Sequence, residues 1–223
     1  MAPRTLLHPS PFVSALRTGL PVVLGLSIAT FSATALADDA ATSFVRAQQD
    51  QLRTLLHQPA SPAREAQVGS ALSRMVDYDE MTHRAFGEPC SAEAPGCKDH
   101  WAELSDAQKA EISGLLRRLV DKNYQKNIAK TLDFNVTYQG ASAVGGDSVV
   151  HTEATSISKP RDPAVLVDYV VRGAPGSQHV VDIVTEGSSL TKSYYDQFHR
   201  MLTNPEQGYA YIVKKLNDKL AAA

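Results

Sequence analysis

The chain has 223 residues, 43% of them hydrophobic and 7% aromatic, and carries 22 basic against 24 acidic side chains. So even a balance argues against nucleic acid or an anionic membrane surface as the main partner. The length suits one domain with a sizeable core.

The first residues read as a secretory signal peptide. Arg4 and Arg17 precede the apolar run LPVVLGLSIATFSATALA, which ends in Ala35-Leu36-Ala37 before Asp38, so cleavage is expected after Ala37. Small and hydroxyl residues dilute the run, which favours a cleaved peptide over a membrane anchor. No later stretch is apolar enough to span a bilayer. Without residues 1–37 the chain keeps 20 basic and 24 acidic side chains, a net charge of about −4. Residues 38–223 are read as a single domain.

Phe44, Val45, Leu52, Leu55 and Leu56 share one face of a first helix, which ends near His57 and Pro59. Ser61 followed by Pro62 opens a second helix through Val68, Leu72, Met75 and Val76. Asp77 and Glu80 form a capping-box-like start for a short third helix bearing Tyr78, Met81 and Phe86, stopped at Gly87. The only two cysteines, Cys90 and Cys97, then bracket CSAEAPGC. In an exported chain they predict a local disulfide rather than a metal site.

Ser105 and Gln108 make a second capping box, ahead of the longest helix. Its stripe holds Ile112, Leu115, Leu116, Leu119, Val120, Tyr124 and Ile128. Beyond Lys130 the period changes from helix to strand. Strands are expected at Leu132–Tyr138, in DSVVHTEATSIS, at Val165–Val171 and around Val181–Thr185. The last runs through Glu186-Gly187 into a helix carrying Leu190, Tyr194, Phe198, Met201 and Leu202, with Ser188 or Ser189 as its cap. Asn204-Pro205 is expected to cap a final helix with Tyr209, Ile212, Val213, Leu216 and Leu220. Short connections without crossover helices imply an antiparallel meander. The predicted fold class is therefore α+β: a curved four-stranded antiparallel sheet covered on one face by about six helices.

Enzyme signatures fail one by one. Gly187-Ser188-Ser189-Leu190 lacks the second glycine of a nucleophile elbow, Gly145-Gly146 has no phosphate-loop lysine, and no H-E-x-x-H occurs. The histidines after residue 37 are scattered singly, and acidic pairs such as Asp77 with Asp79, or Asp182 with Glu186, read as solvated faces and caps. No catalytic residue, metal site or cofactor is assigned. Apolar surface on both layers, with Tyr124, Tyr138, Tyr169 and Tyr194 among it, fits either an ordinary packed core or a hollow interior for an apolar ligand. Pattern does not choose between the two.

Four stretches bear on that choice: VDYDEMTHRAFGE, Trp101 with LSDAQKAEISGLLRRLVDKNY, VLVDYVVRG, and VVDIVTEGSSLTKSYYDQFHRML. In this order they resemble the MlaC family of periplasmic phospholipid carriers, over roughly residues 40 to 220. This chain departs from the family pattern in the cysteine loop between Gly87 and Trp101, and in Tyr195, where the family commonly has arginine. The resemblance implies an apolar cavity between sheet and helices that takes acyl tails and leaves the headgroup near solvent. The sheet would supply Phe134, Val136, Val165, Val167, Tyr169, Val181 and Ile183 to its wall. The helices would supply Leu116, Leu119, Val120, Tyr124, Leu190, Tyr194 and Phe198. It implies a monomer in the periplasm that carries phospholipid between the outer and inner membranes. Its partners would be an inner-membrane ABC-type lipid transporter complex and an outer-membrane lipoprotein complex of the Mla type. Two alternatives stay open: a nuclear-transport-factor-like isomerase or dehydratase, which needs an acid or base inside the pocket, and a ligand-free envelope interaction module, which needs a solid core.

Overall fold

In the computed structural model of the chain, the described residues are 33–87, 90 and 96–222, without the side chains of 33–39 and 124–129. The expected signal segment up to residue 32 and the side chain of Tyr124 lie outside them. Among the described residues, the order is α1 (Ala33–Leu56), α2 (Pro62–Met75), α3 (Tyr78–Ala85), α4 (Asp106–Ile128), β1 (Phe134–Val144), β2 (Asp147–Ser156), β3 (Val165–Arg172), β4 (His179–Thr185), β5 (Ser188–Ser189), α5 (Leu190–Thr203) and α6 (Tyr209–Ala222). The strands form one open antiparallel sheet in the order β1-β2-β3-β4-β5. The fold is α+β with six helices.

The sheet has five strands where four were expected. Glu186 and Gly187 both take positive φ, 49° and 75°. That backbone suits a two-residue hairpin, so the chain folds back and pairs Ser188 with Thr185 and Ser189 with Val184. Glu-Gly is not among the strong hairpin dipeptides, and two serines carry no strand signal.

The helix starts follow their sequence signals. Ser61 Oγ accepts from the Arg64 amide, Asp77 Oδ1 from the Glu80 amide, and Ser189 Oγ from the Lys192 amide. Ser105 and Gln108 exchange both capping bonds. Asn204 differs from expectation. It ends α5, and its side chain accepts from the Glu206 amide in a turn, while α6 starts only after Gly208.

Two apolar clusters form the interior. One joins α1 and α2 to the sheet through Val45, Leu52, Leu72, Met75, Val150, Val171 and Val180. The other gathers Phe86, Ile112, Leu115, Leu116, Leu119, Phe198, Ile212 and Leu216 from α3, α4, α5 and α6. Charges tie α3 to the sheet. Arg84 bonds Glu80 and Asp147, at 2.9 and 2.6 Å, and Arg172 bonds the same two carboxylates at 2.5 and 2.7 Å. Burial pushes the Asp147 pKa up, but the two guanidinium groups outweigh it and hold the carboxyl below its ordinary value.

Cys90 and Cys97 are bonded, their Cα atoms 5.7 Å apart. The stem after this loop is fastened to α5: the Lys98 amide donates to Tyr195 Oη at 2.8 Å, and His100 Nε2 meets His199 Nδ1 at 2.9 Å. Gly87 turns the chain into the loop at φ 102°, where a Cβ would stand 2.5 Å from the Lys98 carbonyl oxygen. Gly87→Ala is therefore expected to cost about 2–3 kcal/mol from strain and clash together, read as a lower urea midpoint with unchanged m-value.

His100 is 2% exposed. Burial holds its pKa below the ordinary 6.5. Glu103 pulls the other way, and His199 and Lys98 add to the lowering. The unfolded chain takes up a proton near pH 6.5 that the folded chain refuses. Stability is thus complete above that pH and falls away as pH drops through 6.5 towards the depressed folded value. Urea midpoints at pH 7.5 and 5.5 should show this loss, and His100→Gln should flatten it; an equally steep loss in the variant would place the effect elsewhere.

Candidate functional site

The inner face of the sheet follows from the register. Side chains of directly paired residues share a face, so Val136, Ala154 and Val165 form one row, and Tyr138, Thr152 and Val167 the next. Ala141, Val150, Tyr169 and Ile183 form the third, and Ser148, Val171 and Val180 the fourth. These last rows are covered: Val150 and Val180 are 0% exposed and Val171 2%. In the first rows only Thr152, at 3%, is closed off. Phe134, Val165 and Val167 are only half-buried, and Val136 is 37% exposed. The sheet therefore presents an apolar face whose Phe134–Val167 end the helices leave half open.

Val181 lies at a bulge, because the register slips between Val170 and Val171. The slip turns Val180 and Ile183 inward, so plain alternation from Val181 misses Val180. Val181 itself is fully buried.

On the helical side, Leu116, Val120, Leu190 and Tyr194 converge on one apolar crevice between α3, α4 and α5, with Tyr78 and Met81 completing much of its wall. Its volume is only about 20 Å³, room for a single water-sized probe. The crevice lies on the seam between the two clusters. Val120, Leu190, Tyr78 and Met81 belong with the sheet cluster, and Leu116 and Tyr194 with the helical one. Leu119 and Phe198, each 2% exposed, sit inside the closed helical cluster instead. Burial raises the pKa of Tyr138, Tyr169 and Tyr194, so all three keep neutral hydroxyls.

Sequence reasoning missed a polar set on α1. Gln49 Nε2 donates to Tyr169 Oη at 2.9 Å, Arg53 Nη1 donates to the Phe134 carbonyl at 3.2 Å, and the Arg46 guanidinium lies 4.4 Å over the Tyr138 ring. Their spacing of 46, 49 and 53 is helical.

Other polar constellations fail as active sites. Ser142 Oγ is 2.9 Å from His151 Nε2, and His151 Nδ1 is 3.1 Å from Asp168 Oδ1, a triad-like chain across three strands. It lies on the outer face, and Ser142 is absent from the neighbouring groove that His151 and Asp168 line. A serine outside the groove has no substrate to attack. Asp182 is buried, yet its oxygens already accept from Ser189 Oγ and from the Ile183 and Thr191 amides. An open groove of about 590 Å³ beside α4 mixes Asp77, Asp79, Lys109 and Arg117 with Val76, Tyr78 and Trp101, and is no apolar chamber. Among the described residues no group of three His, Cys, Asp or Glu could hold a metal ion.

No functionally curated protein matches the sequence. Among solved structures, the phospholipid-binding protein from Ralstonia solanacearum in complex with a phospholipid shares the fold, with a TM-score of 0.64 at 21% identity over 82% of this chain and 97% of that one. A family model described as MlaC protein matches residues 42–218, and the chain thus belongs to the MlaC family.

Proposed function

We propose that the protein is a periplasmic phospholipid carrier without bond-making chemistry. It leaves the cytoplasm by its signal peptide, cut after Ala37, and folds as a monomer. It shuttles phospholipid between the outer and inner membranes as the soluble member of an Mla-type system, between an outer-membrane lipoprotein complex and an inner-membrane ABC-type transporter complex. The observation that carries this reading is the half-open apolar end of the inner sheet face at Phe134, Val136, Val165 and Val167. A core that is meant to be solid has no reason to leave a group of inward apolar side chains partly exposed. The family membership and a lipid-bound structural neighbour support the same reading.

Acyl tails lie against that end of the sheet and run towards the seam. The crevice between α3, α4 and α5 is too small for a chain as it stands. Loading it means parting α5 from α4 along the seam where the two clusters meet. The stem after Cys90–Cys97 grips the middle of α5 through Tyr195 and His199.

Two measurements test the carrier. Protein purified from a bacterial host and extracted with organic solvent should yield phospholipid by mass spectrometry; lipid-free protein from repeated preparations would overturn the reading. Val167→Asp or Val136→Asp should lower the retained lipid at least tenfold, since an unpaired carboxylate in the apolar wall costs more than ~1.4 kcal/mol against a bound tail. Lys214→Glu, on the exposed side of α6, should change nothing. Equal retention in all three proteins would show that tails lie elsewhere.

A further inference from the structure

We propose that Arg46 and Arg53 of α1 seat the phosphate of the bound lipid at the rim of the sheet's open end, so that the site selects lipids bearing an anionic phosphodiester. The inference rests on the carrier reading and adds a residue-level account of its polar end.

Residues 46, 49, 50 and 53 recur at i, i+3, i+4 and i+7, and so share one face of α1. That face is aimed at β1. Arg46 lies 4.4 Å over the Tyr138 ring, and Arg53 donates to the carbonyl of Phe134 at 3.2 Å. Tyr138 and Phe134 flank Val136, which is 37% exposed. Two guanidinium groups therefore bracket the place where apolar wall meets solvent.

Neither arginine forms an ion pair among the described residues. Between them Gln49 is committed to Tyr169, deeper on the sheet's inner face. Arg53 spends one donor on Phe134 and has others to offer, since a guanidinium carries five N–H groups in a planar fork. Arg46 spends none on a hydrogen-bond acceptor among the described residues. The fork matches the two non-bridging oxygens of a phosphodiester. Asp50 lies on the same face and leaves that face of α1 with a net charge of one positive unit. A tail packed on Val136 and Val167 would bring its headgroup to this rim, because the chain must leave the apolar surface where that surface ends.

The experiment offers the delipidated protein detergent micelles holding equal amounts of dioleoyl phosphatidylglycerol and dioleoylglycerol, which have the same tails and differ by the phosphate headgroup. Bound lipid is then counted by mass spectrometry. The wild-type protein should favour the phosphatidylglycerol about tenfold, the size expected of charge-assisted hydrogen bonds to phosphate. Arg46→Gln/Arg53→Gln should bring the ratio close to one, and Arg46→Gln alone, which disturbs no main-chain bond, should lower it part of the way. Equal uptake of the two lipids by the wild-type protein, or an undiminished preference in the folded variants, would overturn the phosphate seat while leaving the carrier intact. Retention of neither lipid by any form would overturn the carrier reading and the seat with it.

Discussion

The buried carboxylate of Asp182 is the joint between the two layers. It is 5% exposed, and a charge so placed is tolerable only when its lone pairs are filled. Ser189 Oγ donates to Oδ2 at 2.5 Å, and the Ile183 and Thr191 amides donate to Oδ1 at 2.8 and 3.0 Å. Thr191 is in the first turn of α5, so one carboxylate binds β4, the β5 hairpin and the helix N-terminus together, where the helix dipole also favours negative charge. The direction in which α5 leaves the sheet, and with it the place of Leu190 and Tyr194 on the seam, depends on this joint.

From that corner the interior divides. The helical cluster around Ile112, Leu119, Phe198 and Ile212 is closed, with exposures of 2% or less. The sheet cluster is closed where α1 and α2 meet Val150, Val171 and Val180. α1 does lie over β1 at this end, but the face it turns there carries Arg46, Gln49 and Arg53 rather than aliphatic residues, so Val136, Val165 and Val167 stay only partly covered. Opposing apolar rows to a charged stripe leaves a boundary that a purely apolar or purely polar molecule cannot satisfy. An amphiphile satisfies both sides.

Most of the fold was legible in the chain. The caps at Ser61, Asp77 and Ser105, the helical stripe of α4 and the alternation of β1 and β3 use local signals, and the structure follows them. The misses have physical causes. The β5 hairpin depends on two left-handed residues, one of them glutamate, which no propensity announces. The bulge at Val181 is a property of pairing, so a single strand cannot reveal that Val180 rather than Val181 faces inward. The inner rows were readable as apolar, but not which rows would be covered, since coverage depends on where α1 lies. The grouping of Leu116, Val120, Leu190 and Tyr194 about one crevice, with Leu119 and Phe198 outside it, needed the angle between α4 and α5.

A half-covered apolar surface also answers an energetic problem. A two-tailed lipid has roughly 30 methylenes, and at about 0.8 kcal/mol each their transfer from water is worth ~24 kcal/mol gross. That exceeds the practical limit on non-covalent affinity of about 18–21 kcal/mol, so a site that enclosed every methylene as well as a dry protein core would hold its cargo for good. The relevant reference is a bilayer, whose interior is already apolar. A carrier works when its pocket only approaches the membrane in quality, and a wall with Val136 over one-third exposed is suited to that role. A tail held at such an end can be taken over by another apolar surface without first crossing water. Nothing in an apolar wall distinguishes one membrane from another, so such a wall alone gives a bound tail no preferred destination.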